Sequence, residues 1–149
     1  MEIDSLNERQ EGQVSTICCP RPNLISVTQD VRRCLLVADD LTGAADAGAQ
    51  FAKIGLNTLL ISMKEDRRVN LAEYADRDVL VVNTDSRGSS PERAFRLVSD
   101  LLKAYDRELY PVIYKKIDST LRGNIGREID AILLETSSQL CFFAPSYPE

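Results

Sequence analysis

Between residues 34 and 144 short apolar runs alternate with stretches of helical period. Cys34-Leu35-Leu36-Val37-Ala38 is apolar throughout, the pattern of a strand covered on both faces, and it breaks off at Asp39-Asp40. The spacing of Ala44, Gly48, Phe51 and Ala52 predicts a helix over 43–54, with Gly55 as its stop. Thr58-Leu59-Leu60-Ile61 predicts a second strand, and the charged stretch 64–77 a loop with a short helix. Asp78-Val79-Leu80-Val81-Val82 predicts a third strand. A helix should follow from Ser90 as cap and Pro91 in its first turn, with Ala94, Leu97, Val98, Leu101 and Leu102 inward. Val112-Ile113-Tyr114 predicts a fourth strand. A helix from about 124 to 135 would then turn Ile125, Ile129, Ile132 and Leu133 inward, and Leu140-Cys141-Phe142-Phe143-Ala144 predicts a fifth strand. This alternation predicts an α/β fold: three layers, a mostly parallel sheet of about five strands, helices on both faces.

The first thirty or so residues are polar, carry Pro20 and Pro22, and hold no sustained period. They read as a disordered tail over 1–32, ahead of one domain at 33–149. A length of 149 residues with 44% apolar and 28% charged residues suits a soluble globular protein. The net charge of −5 speaks against a nucleic-acid partner. No apolar run approaches the roughly eighteen residues of a membrane span. The start Met1-Glu2-Ile3-Asp4 lacks the character of a secretory signal, so a cytoplasmic protein is expected. Of the four cysteines, Cys34 and Cys141 lie in apolar runs and are expected to be buried and reduced, whereas Cys18 and Cys19 lie in the polar tail. Histidine is absent, which excludes Ser-His-Asp hydrolysis and most zinc sites; proton transfer would fall to Asp, Glu, Lys or Tyr. No metal site is expected.

Three polar clusters fall at expected carboxyl ends of strands, where open α/β sheets bind ligands. In the first, Asp39 or Asp40 would cap the next helix with Thr42. That leaves the second carboxylate to bind a hydroxyl or a metal, or to accept a proton. The second is Asn83-Thr84-Asp85-Ser86-Arg87-Gly88. Its arginine is either an ordinary surface residue or a fork for a carboxylate or phosphate. The third, Lys115-Lys116-Ile117-Asp118-Ser119-Thr120-Leu121-Arg122-Gly123-Asn124, is the densest. Arg122 would bring a guanidinium to a helix N-terminus, where backbone N–H groups already favour an anion. Asp118 pairing with a lysine, and Ser119 acting as a cap, are the plainer alternatives. Lys115 and Lys116 should face opposite ways, so only one can enter the site. Neither G-x-x-x-x-G-K-[ST] nor G-x-G-x-x-G occurs, and no nucleotide site is expected in this chain.

Ala38-Asp39-Asp40-Leu41-Thr42-Gly43-Ala44-Ala45-Asp46, Thr84-Asp85-Ser86-Arg87 and Lys116-Ile117-Asp118-Ser119-Thr120-Leu121-Arg122-Gly123-Asn124 together resemble the N-terminal sugar-binding domain of the four-carbon acid sugar kinases. The resemblance covers about 33–146. It implies a phosphotransferase acting on an alcohol of a small sugar acid such as erythronate, threonate or 3-oxo-tetronate. ATP and Mg would be expected for the full-length family but not bound by this chain alone. A larger nucleotide-binding domain, absent here, would be the missing or separate partner, and the isolated half would bind without turnover. Under that resemblance Asp39 and Asp40 are the catalytic-base candidates. Asp85, Ser86, Arg87, Lys116, Asp118, Ser119, Arg122, Gly123 and Asn124 are the substrate-binding candidates. Two other readings stand beside it. One is a receiver-like signalling domain with Asp85 as phosphoacceptor. The other is a non-catalytic binding remnant that pairs with another chain or forms a homodimer.

Overall fold

Strand β1 (Cys34–Ala38) is buried at all five positions because it lies inside the sheet with a helix layer on either side. In this computed structural model, which describes residues 33–63 and 69–145, four strands form a wholly parallel sheet of order β2-β3-β1-β4. β2 is Thr58–Ser62, β3 is Val79–Asn83 and β4 is Val112–Lys116. The helices are α1 (Leu41–Lys53), α2 (Pro91–Leu102) and α3 (Ile125–Thr136), with one 3₁₀ turn at Leu71–Tyr74.

Alternation along β1 divides the core in two. Leu35 and Val37 join Leu80, Val82, Val98, Leu101 and Ala131 under α2 and α3. Cys34, Leu36 and Ala38 join Val79, Val81, Ala44 and Ala47 under α1. The small residues of α1 let it lie close to the sheet: a Cβ on Gly48 would stand 3.2 Å from Val81 Cγ2. The expected α/β architecture with helices on both faces is the one observed. Ser90 caps α2, with Pro91 at its first position, and Gly55 follows α1 with φ +88°.

Several expectations are corrected. The sheet has four strands among the described residues. Leu140–Ala144 is irregular and exposed, with Phe142 at 88%. An apolar run states that a segment gains from burial, but a strand also needs a backbone ladder in register, and among the described residues Leu140–Ala144 forms none with the outer edge of β4. Cys141 is accordingly exposed, whereas Cys34 is buried, and burial pushes its thiol up to about 11. In α3 the buried positions are Glu128, Ala131 and Thr136, with Ile125, Ile129, Ile132 and Leu133 only partly covered. The inward stripe is therefore rotated from the one expected. Residues 1–32, with Cys18 and Cys19, and 64–68 lie outside the described residues.

Candidate functional site

The chain leaves β1 for α1 on one face and leaves the neighbouring β3 for α2 on the other, which opens a crevice beyond their carboxyl ends. Register brings the third cluster to the same rim, since Ala38 pairs with both Asn83 and Lys116. All three polar clusters therefore meet at one edge of the sheet.

Arg87 is the centre of that meeting. Its Nε donates to Asp39 Oδ2 at 3.0 Å and its NH2 to Asp39 Oδ1 at 2.9 Å. NH1 and NH2 donate to Asp40 Oδ2 and Oδ1 at 2.7 and 2.8 Å. Its backbone N–H donates to Asp39 O at 3.1 Å. One planar guanidinium thus relieves the repulsion between two adjacent carboxylates, one of them, Asp39, only 1% exposed. The hydrogen bonds to Asp39 are the first cause that raises the Arg87 pKa. Asp40 also caps α1, accepting from Gly43 N–H at 3.0 Å, so the expected cap and the expected charge cluster share one side chain.

The third loop folds onto its own aspartate. Asp118 accepts from Thr120 N–H at 3.0 Å, from Arg122 Nε at 2.9 Å and from Arg122 NH2 at 2.6 Å. The Arg122 guanidinium, followed by the Thr120 hydroxyl, holds the Asp118 carboxyl well below the usual carboxylate range. Asp118 Oδ1 also lies 3.7 Å from Arg87 NH1, which links the loops electrostatically. The turn uses φ +60° at Leu121 and +92° at Gly123. A Cβ on Gly123 would stand 2.7 Å from Asp39 Oδ2. Asn124 stands at the N-cap of α3 without capping it, and its amide donates instead to Ser86 O at 3.2 Å and Ser89 O at 2.9 Å.

The two lysines diverge as alternation requires. Lys115 turns under α3 to Glu128 Oε2 at 3.0 Å. Lys116 turns towards α1, where its Cγ would be 3.6 Å from a Cβ on Gly43. Its ammonium donates to Ile117 O at 2.6 Å and has no carboxylate within ion-pair distance among the described residues.

Of the sequence-derived candidates, Asp39, Asp40, Arg87, Asp118, Arg122, Gly123 and Asn124 form one connected cluster, with Lys116 beside it. Asp85 and Ser119 are exposed at its rim. Ser86 is fully buried, its hydroxyl turned inward to donate to Glu128 Oε1. Thr84 and Lys115 lie within the expected clusters without being binding candidates, whereas Glu128 was missed as a site-associated residue. The available signal was that Glu128 falls three residues from both Ile125 and Ala131, on the buried stripe. No three His, Cys, Asp or Glu side chains among the described residues are placed to hold a metal ion, and no helix there is long and apolar enough to cross a membrane. A cavity of about 590 Å³ lies apart, between β4, α3 and Leu140–Ala144; its walls are mostly apolar, with Ile113, Ile132 and Phe142 among them.

A family model described as the sugar-binding N-terminal domain matches residues 34–149. The D-threonate kinase of Salmonella typhimurium is 39% identical over 118 residues, 76% of this chain and 26% of that protein. The D-erythronate kinase of Heliobacterium modesticaldum is 40% identical, over 66% of this chain and 22% of that protein. A 3-oxo-tetronate kinase from Haemophilus influenzae is 28% identical over 76% of the chain. The chain spans about a quarter of the length of these curated relatives. Among solved structures, a domain of unknown function from Bordetella bronchiseptica, a domain-swapped dimer with bound citrate, aligns with a TM-score of 0.55 at 33% identity, covering 68% of this chain and 25% of that one.

Proposed function

The chain belongs to the sugar-binding N-terminal domain family, and on that premise we propose that it is the substrate-holding part of an ATP-dependent kinase for a four-carbon sugar acid. The observation that carries this reading is the convergence of three loops on one crevice lined by Asp40, Asp118, Arg122 and Lys116 around Arg87. A sugar acid offers one carboxylate and several hydroxyls, and such a site supplies cations and acceptors in close alternation.

The roles divide by what each group already holds. Both arginines are committed to aspartates, so Lys116 is our candidate for the substrate carboxylate, beside the N-terminal turn of α1. Asp39 is buried with both oxygens taken by Arg87, which suits a structural counter-charge. Asp40 also accepts from Arg87 at both oxygens, but its side chain is 23% exposed where that of Asp39 is buried, and on that exposure it is our candidate base for the attacking hydroxyl. Phosphoryl transfer rests mainly on positioning and charge stabilisation. ATP and Mg²⁺ would supply the phosphoryl group and its charge neutralisation. Neither glycine motif typical of nucleotide phosphate binding, G-x-x-x-x-G-K-[ST] or G-x-G-x-x-G, occurs in the sequence. We therefore assign both to another part of a full-length protein. A receiver-type arrangement would leave Arg87 without a task, whereas here it makes four side-chain hydrogen bonds. The Bordetella bronchiseptica structure holds citrate, a hydroxy acid with three carboxylates, which supports an anionic ligand for this family.

Calorimetry with erythronate, threonate, 3-oxo-tetronate and neutral erythritol tests the reading. At least one acid should bind more tightly than erythritol. Lys116→Met should weaken that acid by about tenfold or more, the value of one charge-assisted bond, and leave erythritol unaffected. Silence from every acid, on a chain that is folded by circular dichroism, would refute it.

A further inference from the structure

We propose that Glu128 is a positioning residue, which pins Arg87 to its aspartates through the buried hydroxyl of Ser86. Glu128 is fully buried in α3, and its ion-pair partner, Lys115, is 8% exposed at the side chain. The ammonium approaches Oε2 to 3.0 Å without hydrogen-bond directionality, which leaves Oε1 to accept from Ser86. A buried ion pair is weak ground for stability, because apolar residues of similar size commonly serve as well. What this pair adds is a fixed acceptor beneath the loop that follows β3.

That loop needs holding. Asp85 has φ +51°, a left-handed conformation that is uncommon for a residue with a side chain, although aspartate tolerates it better than most. Its two neighbours hold it there. Thr84 Oγ1 donates to Ala38 O at 2.9 Å and lies 2.7 Å from Ser86 Oγ, which in turn is anchored to α3 by Glu128. The next peptide carries Arg87, whose N–H meets Asp39 O and whose guanidinium spans both carboxylates. The position of Ser86 therefore sets the position of the fork. Lys115 acts only through Glu128.

The test follows the Arg87 Nε–H by ¹⁵N–¹H spectroscopy of the whole chain, without ligand. In the unsubstituted protein its solvent exchange should be slow. The double variant Lys115→Met with Glu128→Met keeps the site filled and removes the acceptor. Exchange should quicken by about tenfold, the worth of one hydrogen bond at a charged group, while the thermal melt stays cooperative. Lys115→Met with Glu128→Gln keeps an oxygen for Ser86 and should restore protection. Ser86→Ala breaks the same link without touching the pair and should loosen Arg87 equally, which covers a double variant that does not fold. Unaltered Arg87 protection in a folded double variant or in Ser86→Ala would overturn the proposal. The readout needs no sugar acid, so failure of the sugar-acid reading would show separately as absent binding by the unsubstituted chain.

Discussion

Gly123 has no room for a side chain: its φ is +92°, and a Cβ would lie 2.7 Å from Asp39 Oδ2. Gly123→Ala should therefore cost about 1–3 kcal/mol from backbone strain alone, read as a lower urea midpoint, and should weaken any sugar acid that the chain binds. A midpoint within error of the original would contradict the close approach. Asp118 gives a pH dependence of known sign. Its folded pKa is depressed from the ordinary 3.8, first by Arg122. Ionised Asp118 therefore stabilises the fold above that ordinary value, and the contribution is lost as pH falls through the folded value. Arg122→Ala should flatten this acid limb in urea titrations between about pH 2 and about pH 5; an unchanged limb would show that the pair contributes nothing. At this scale the sequence named the chemistry but not the partners. That Asp39 and Arg87 belong near one site was legible from their places at strand ends. That they would spend themselves on each other was not, because 48 residues separate them.

Among the elements, those with a strong period and a capping residue stand where the pattern put them. Ser90 caps α2 because its hydroxyl accepts from Arg93 N–H, and Pro91 follows at a position that needs no donor. α3 was harder: its N-cap Asn124 spends its amide on the 84–89 loop, and an acidic residue occupies the buried stripe. Binary patterning assigns a buried glutamate to the outside, and only a partner such as Lys115 reverses that. Gly126, in the first turn of α3, has open space where a Cβ would stand, with nothing within 4 Å, and its φ is not positive. Gly126→Ala should raise stability by about 0.5–1 kcal/mol, through helix propensity and a less flexible unfolded chain. A chemical-denaturation midpoint that falls instead would mean that this turn is not helical. β4 illustrates a boundary that periodicity misses. Lys115 and Lys116 extend the strand past its apolar part, since the parallel ladder with β1 runs on to Lys116.

For the whole molecule, β4 presents Val112 and Tyr114 to solvent, and Leu140, Phe142 and Phe143 are exposed nearby. An unpaired edge beside exposed apolar side chains favours association. The chain should self-associate with rising concentration in sedimentation velocity, and Val112→Lys with Phe142→Lys should shift it towards monomer. A concentration-independent monomer in the unsubstituted chain would refute this. The sequence by itself determined the α/β class, the placing of three polar clusters at strand ends and the opposed directions of the two lysines, because strand and helix periods are local properties. Tertiary structure alone decided that Arg87 is clamped by Asp39 and Asp40, that Ser86 faces Glu128 and that Leu140–Ala144 stays unpaired. Those outcomes depend on strand order and on which distant groups share a low-dielectric space, and neither is written in any short window of residues.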